Sequence, residues 1–408
     1  MGRETLASVT SKNQQGLTAA KKARQDEFYS QWVDVEREMN AYLEYNPDVF
    51  RGKTLLLPCD DPEWSNFTKY FALHFADFGL AKLISTSYAP RSNAGAAFYS
   101  PTLFETEDPA YDEHMSMERG RVFTLTPEDV SGDGRIDIDD LKWEYLEEDG
   151  DFRSAEVTAL RDEADVVLTN PPFSLFRTFL AWLIEGQVQF SIIGPKNAIA
   201  YQDVFPLIRK NELWLGRGFT KGDAYFRIPD SARKEYADGV YDPDTKLVHF
   251  RNTAWFTNID HGQRHKPLQL MTAADNVRYS RRKTVQGVGY LRYDNYDAIE
   301  VPYVESIPSD HAGVMGVPIT FLDKFSPDQF EIVGIAKAPL GQPSKVYPKQ
   351  VQVSKTGVRS TVSKLNDGPA IKLEAPPEGK TYYEVEGEPY LQLYARILIR
   401  HRAPEARV

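Results

Sequence analysis

The sequence is short of several things, and each shortage narrows the field. It has one cysteine, Cys59, so no internal disulfide can form, and the cytoplasm is the expected compartment. No apolar run approaches the roughly 20 residues that a membrane-spanning helix needs. The first 25 residues are polar and lack the apolar centre of a secretory signal, so no membrane association is expected. The seven histidines include no HExxH, so no zinc site is suggested. No Gly-x-Gly follows the first strand candidate, which argues against a dinucleotide fold. Positive charge is also scarce, with 48 Lys and Arg against 59 Asp and Glu and a net charge of −11.

That net charge is unevenly spread. Glu128 to Asp151 holds eleven acids and two bases, nine of the eleven net negative charges. His261 to Arg292 carries Arg264, Lys266, Arg278, Arg281, Arg282, Lys283 and Arg292 against the single acid Asp275. Ile332 to Asn366 has six bases and no acid. Such segments are either solvated loops or a basic surface for phosphates. Arg278, Arg281, Arg282 and Lys283, interleaved with Tyr279, are the candidate DNA-binding residues.

The 408 residues, 41% of them apolar, have the composition of a globular chain. Strand and helix signals alternate through the first half. Thr54–Leu57 reads as a buried strand. Asp61-Pro62 reads as a helix cap followed by proline at the first helical position, with Trp64, Phe67, Phe71 and Phe75 at helical spacing as far as Gly79. Asp165–Thr169 and Phe190–Gly194 are further strands, with a helix from about Leu175 to Ile184 between them. Alternating β and α units imply an open, mostly parallel sheet that binds ligands at the carboxyl ends of its strands. Near residue 260 this pattern gives way to Gly, Pro, Tyr and basic residues. The expected division is therefore 1–260 and 261–408.

Asn170-Pro171-Pro172-Phe173 follows a DVVLT strand. An adenine N6 amine is a poor nucleophile because its lone pair is delocalised into the ring. The Asn170 amide oxygen and the Pro171 carbonyl could accept both N6 hydrogens, localise that lone pair and aim it at an electrophilic methyl. The prolines fix φ and so hold the carbonyl. Phe173 offers a face to an unstacked base. The plainer reading is an ordinary Asn-Pro turn.

The turn Pro58-Cys59-Asp60 stands where a cofactor-binding βα turn belongs. Without glycines it suits a ligand that has no pyrophosphate. S-adenosylmethionine carries a sulfonium and an ammonium, which a carboxylate such as Asp60 would favour. Asp151 could hydrogen-bond the adenosyl group or the target base, and Phe152 could pack on a ring; a polar turn is the alternative. Asp129 to Asp140 places oxygen-bearing residues at calcium-loop positions 1, 3, 5, 9 and 12, with Gly134 at position 6. Its last residue is Asp rather than Glu, and an acidic surface loop fits as well. No metal is assigned.

Taken together, several segments resemble the EcoRI-type adenine-specific DNA methyltransferases. They are Asp26-Glu27-Phe28-Tyr29, CDDPEWSNFTKYFA from Cys59, EDGDFRS from Glu148 and DVVLTNPPFSLF from Asp165. Further along come YDNYDAIEV from Tyr293, GVMGVPITFLDKF from Gly313 and YARILIR from Tyr394. The resemblance implies an α/β class I methyltransferase fold, Rossmann-like with a mostly parallel sheet, followed by a C-terminal target-recognition region. It implies S-adenosylmethionine as cofactor, with Asp26, Phe28 and Tyr29 near the methionine moiety and residues 59–61 in the degenerate glycine-loop motif. Asn170 belongs to both cofactor and catalytic sites in this reading. A monomer acting on double-stranded DNA is expected. Stretches 127–147 and 336–385 fall outside the compact family pattern. Competing readings are an RNA or protein-glutamine methyltransferase, which usually has Tyr as the fourth motif residue, and a catalytically silent DNA-binding protein.

Overall fold

A computed structural model describes residues 29–62, 65–89, 111–219, 224–227 and 240–403. The expected cofactor residues Asp26 and Phe28 lie outside the described residues. The chain divides into two units, one reaching Asn197 and including Leu215–His261, the other comprising Ala198–Trp214 and everything from Gly262.

Along the chain, β1 (Tyr29–Ser30) leads into α1 (Trp32–Leu43), β2 (Thr54–Leu57), α2 (Asn66–Leu73) and α3 (Phe75–Phe78). Next come β3 (Lys82–Ser87), α4 (Glu113–Glu118), β4 (Arg121–Leu125) and β5 (Lys142–Tyr145). They are followed by α5 (Ala155–Glu163), β6 (Val166–Thr169), α6 (Phe176–Glu185), β7 (Gln189–Pro195) and α7 (Phe205–Arg209). Then β8 (Trp214–Leu215), β9 (Ala224–Arg227), β10 (Tyr241–Asp242), β11 (Leu247–Phe250) and β12 (Thr253–Thr257) complete this part.

The principal sheet runs β5-β4-β3-β2-β6-β7-β12-β8. Its centre is parallel: β2 pairs with β3 and with β6, and β6 pairs with β7. Parallel strands are covered on both faces and so read as unbroken apolar runs. Leu55, Leu56 and Leu57 on β2 and Val166, Val167 and Leu168 on β6 are accordingly buried. The edges are antiparallel, β4 against β3 and β12 against β7. From β2 the chain goes first to β3 on one side and later to β6 on the other. That reversal opens a crevice at the carboxyl ends of β2 and β6. A small antiparallel sheet, β1-β9-β11-β10, belongs to the same unit.

One helix start differs from expectation. Asp61 does not cap α2; Ser65 does, its hydroxyl accepting from Phe67 N and Thr68 N. Asp61 instead pairs with the nearly buried Arg121 at 3.2 Å. Gly79 does end the α3 turn in the left-handed conformation.

The second unit is mixed, with short strands. It contains α7, which falls within Ala198–Trp214, and then α8 (Ala273–Tyr279), β13 (Ile299–Glu300), β14 (Met315–Pro318), β15 (Phe330–Ala336), β16 (Gln350–Val353) and β17 (Arg359–Val362). It ends with β18 (Ala370–Lys372), β19 (Tyr382–Val385), β20 (Glu388–Gln392) and β21 (Arg396–His401). One sheet runs β13-β14-β21-β15 and another β17-β16-β19-β20-β18. The latter has a core of its own, built on Tyr347, Leu365, Tyr383, Val385 and Tyr390.

Candidate active site

The turn after β2 and the tetrapeptide after β6 start side by side. Parallel pairing sets Leu56 against Val167. Two residues further, the Thr169 hydroxyl donates to the Pro58 carbonyl at 2.9 Å. Asn170 follows immediately, with its Oδ1 buried. Pro171 is buried, Pro172 and Phe173 are half-buried, and the Pro172 carbonyl accepts from Leu175 N as the chain turns toward α6. The Phe173 ring lies 6.4 Å from Phe226 on β9 and 6.3 Å from Phe250 on β11. The small sheet thus forms an aromatic wall beside the tetrapeptide. Tyr29 sits on the same sheet, opposite Arg227.

Cys59 has φ 65°, a left-handed conformation that costs most residues about 1–2 kcal/mol. It fills the conformational place that a glycine takes in glycine-rich βα turns, and its N–H donates to Thr86 Oγ1 at 3.1 Å. Asp60 beside it is buried. Its Oδ1 accepts from the Ser65 hydroxyl at 2.7 Å, and its carbonyl accepts from the hydroxyls of Thr68 and Ser85. Oδ2 has no hydrogen-bond partner among the described residues. Burial pushes this carboxyl from 3.8 up to about 7, against the pull of the neighbouring hydroxyls. A buried acid with an unpartnered oxygen at a strand end is a group that a positive charge placed beside it would ionise.

A third turn joins these two. Gly150, with φ 85°, packs against the end of β3 so closely that a Cβ would lie 2.4 Å from the Ser87 carbonyl oxygen. Only glycine fits there. It brings Asp151 within reach of Tyr88, whose hydroxyl donates to Oδ2 at 3.1 Å. Arg153 donates to Oδ1 from its backbone N–H and from Nε, each at 2.8 Å. Burial opposes ionisation of Asp151, but the Arg153 hydrogen bonds prevail and hold its pKa below the ordinary value. Tyr88 and Thr169 were missed by the sequence reading. Their only signal is position, directly after β3 and at the last residue of β6.

Two of the expected site residues have partners of their own in the structure. Phe152 offers no open face to a ligand ring: it is 2% exposed and packs on Phe179 and Trp182 of α6, with centroids 4.9 and 5.6 Å away. Arg282 is not an uncommitted cation. It pairs with Glu305 at 2.7 Å and lies 4.3 Å from the centre of the Tyr303 ring. Arg278, Arg281 and Lys283 are exposed around Tyr279, itself 58% exposed. They have no ion-pair partner among the described residues.

In the acidic loop at 129–140 several carboxylates accept hydrogen bonds from the loop's own backbone, although only Asp140 is buried. Asp129 accepts from Gly132 N and Gly134 N, Asp133 from Arg135 N, and Asp140 from the N–H groups of Val130, Ser131 and Asp137. Among the described residues no group of three or more His, Cys, Asp or Glu is arranged to hold a metal. No described helix is long and apolar enough to cross a membrane.

A family model described as adenine-specific methyltransferase EcoRI matches residues 16–402. The chain is 38% identical over 322 residues to the Type II methyltransferase M.EcoRI of Escherichia coli, covering 79% of this chain and 89% of that one. It is 31% identical over 331 residues to M.MpnI of Mycoplasma pneumoniae, covering 78% and 85%. A third relative, M.MgeORF184P of Mycoplasma genitalium, is 30% identical over 329 residues, covering 78% and 86%. No solved structure gives a significant match.

Proposed function

This chain belongs to the EcoRI family of adenine-specific methyltransferases, and from that premise we propose how its residues carry out the reaction. It is a DNA adenine methyltransferase, and the methyl goes to N6 of an adenine turned out of double-stranded DNA. The observation that carries the reading is the tetrapeptide Asn170–Phe173 at the end of β6, tied through Thr169 to the turn that bears Asp60. The sheet order, with a parallel centre and a reversal at β2, supports a class I, Rossmann-like catalytic unit. Residues from about 261 onward form the target-recognition region.

S-adenosylmethionine, the proposed donor, supplies an electrophilic methyl when bound. Asp60 would face its cationic part, and Asp151, whose oxygens already accept from Tyr88 and from three donors of Arg153, would border the adenosyl group as a fixed negative charge. Tyr29, Pro58 and Cys59 would border the same place. Asn170 Oδ1 and the Pro171 carbonyl accept the two N6 hydrogens, so the nitrogen lone pair points at the methyl. Bound there, the donor would supply its methyl to N6 with the neutral thioether as leaving group, and the surplus N6 proton would pass to water. Phe173, backed by Phe226 and Phe250, would stack on the extruded base. Phosphate contacts fall to Arg278, Arg281 and Lys283. The enzyme acts as a monomer in the cytoplasm on this reading. The test is to incubate it with methyl-labelled donor and DNA, RNA or protein in parallel. Label confined to adenine N6 of DNA is expected, and label in RNA or in protein glutamine would overturn the assignment.

A further inference from the structure

Glu38 lies on α1, fully buried, and the reaction above makes no use of it. A buried carboxylate is costly unless its oxygens are well supplied with donors. Glu38 draws donors from three places. The Tyr42 hydroxyl donates from the next turn of α1, and the Ser191 hydroxyl on β7 lies 3.2 Å away. The backbone N–H groups of Arg217 and Gly218 both point at Oε2, the latter at 2.5 Å. From the same helix, Arg37 Nη1 donates to the Gly218 carbonyl at 2.6 Å. There is no spare room. A Cβ on Gly216 would lie 1.9 Å from Glu38 Oε1, and one on Gly218 would lie 2.2 Å from Trp255 Nε1.

The segment held in this way leads into the aromatic wall. Phe219 packs on Trp255 at 5.7 Å and on Phe226 at 6.0 Å. Phe226 in turn packs on Phe173. All of these residues lie in the first unit. We propose that Glu38 is a positioning residue: it clamps residues 216–218, which fixes Phe219 and, through Phe226, the ring of Phe173 on which the target adenine is seated. The inference rests on the assignment of Phe173 to the extruded base.

Two variants approach the clamp from opposite sides. Glu38→Gln replaces one oxygen by an NH2 in a pocket of donors, and Gly216→Ala drives a methyl into the carboxylate. Met39→Ala is the control, because it truncates a buried core side chain on the same helix and leaves the clamp intact. Phe173→Ala is run beside them. The readouts are thermal melting, donor affinity by calorimetry, kcat and KM for DNA, and the fluorescence of 2-aminopurine at the target adenine. Misplacing a reacting group by a fraction of an ångström to 1 Å predicts that kcat per folded molecule falls about 10- to 100-fold in both clamp variants. The 2-aminopurine signal should change with it and donor affinity should not. Met39→Ala should lower the melting temperature and keep kcat. If Glu38→Gln and Gly216→Ala lose only folded fraction, with kcat per folded molecule intact, the clamp is overturned. If Phe173→Ala is also without effect, the seat itself is wrong and both readings fall; if Phe173→Ala alone is impaired, only the clamp falls.

Discussion

The donor site proposed at Asp60 would be sensitive to pH in a direction that can be worked out. Burial pushes the Asp60 carboxyl from 3.8 up to about 7. A pKa raised in the folded state favours folding when the group is protonated. That contribution is fully present below about pH 4 and is lost as the pH rises through about 7. Three pKa units correspond to about 4 kcal/mol, so the free enzyme holds an ionised Asp60 at pH 8 at a cost of that order. A cationic ligand beside Oδ2 removes the cost and returns the pKa toward its ordinary value. Donor affinity attributable to Asp60 should therefore fall about 10-fold between pH 8 and pH 6, with about one proton released on binding at pH 6. The donor's own ammonium titrates in the upper part of this range, so Asp60→Asn is the reference. Asparagine leaves an amide N–H₂ in place of the open oxygen, which costs about 1–3 kcal/mol. The free variant should still be about 1–3 kcal/mol more stable than wild type at pH 8 after that is subtracted from the gain. It should bind the donor more weakly. Isothermal titration calorimetry in two buffers of different ionisation enthalpy, at pH 6 and pH 8, measures affinity and proton release together. Identical pH dependence in wild type and Asp60→Asn would refute the argument.

The other expectations are simpler. Asn170→Ala should fold normally and lose about 10²- to 10³-fold in kcat, as measured by methyl transfer to a cognate duplex. Phe173→Ala should impair productive DNA binding more than donor binding, while Phe173→Tyr should retain activity; an unchanged 2-aminopurine signal in the alanine variant would count against stacking. Arg281→Ala/Lys283→Ala should weaken DNA binding and flatten log affinity against log salt by about 0.9 per lost phosphate contact, leaving donor affinity alone. Millimolar calcium should leave the melting temperature unchanged, because the carboxylates of the 129–140 loop already accept backbone N–H groups; an upshift that disappears in Asp133→Ala would show a calcium site.

The parts of the fold that could be read from sequence were local ones. The Leu55–Leu57 and Val166–Leu168 runs declare buried parallel strands without any partner being known. The tetrapeptide after β6 needed only its neighbours in sequence. Helix α2 was misjudged at its start because Asp61-Pro62 satisfies the rule for a cap. The decisive fact was a partner 60 residues away, Arg121, which takes the Asp61 carboxylate and leaves the cap to Ser65. Cys59 was hidden for another reason. Composition at a turn reports whether glycine is present, not whether the backbone is left-handed there. Phe152 looked like a ligand-facing ring because α6, which covers it, is only brought over it by the fold. Glu38 had no signal at all, since its donors on β7 and the 216–218 segment lie more than 150 residues along the chain. The second unit was the least legible. Its strands are short, and β14 pairs with β21 some 80 residues later, so no local period marks them.

Charge shows the same limit. Ile332 to Asn366 has no acid in sequence, yet Arg359 pairs with Glu384 on β19, and Lys345 pairs with Asp294 at 2.6 Å. Part of that basic excess is thus spent within the unit and is not available to phosphates. The acidic run before β6 is likewise partly balanced: Glu128 pairs with Lys142, Glu147 with Arg119 and Asp151 with Arg153. The field a DNA backbone meets depends on the charges that remain, and screening removes most influence beyond about 8–10 Å at ordinary salt. A total net charge of −11 therefore says little about a surface a few side chains wide. Arg282 illustrates the point at close range. It is bound to Glu305 and lies over the Tyr303 ring, between Arg281 and Lys283 in the chain. Removing Arg282 would disturb the presentation of its neighbours as well as subtract a charge. Arg281 and Lys283 are accordingly the sites at which a change in salt slope reports phosphate contact rather than local rearrangement.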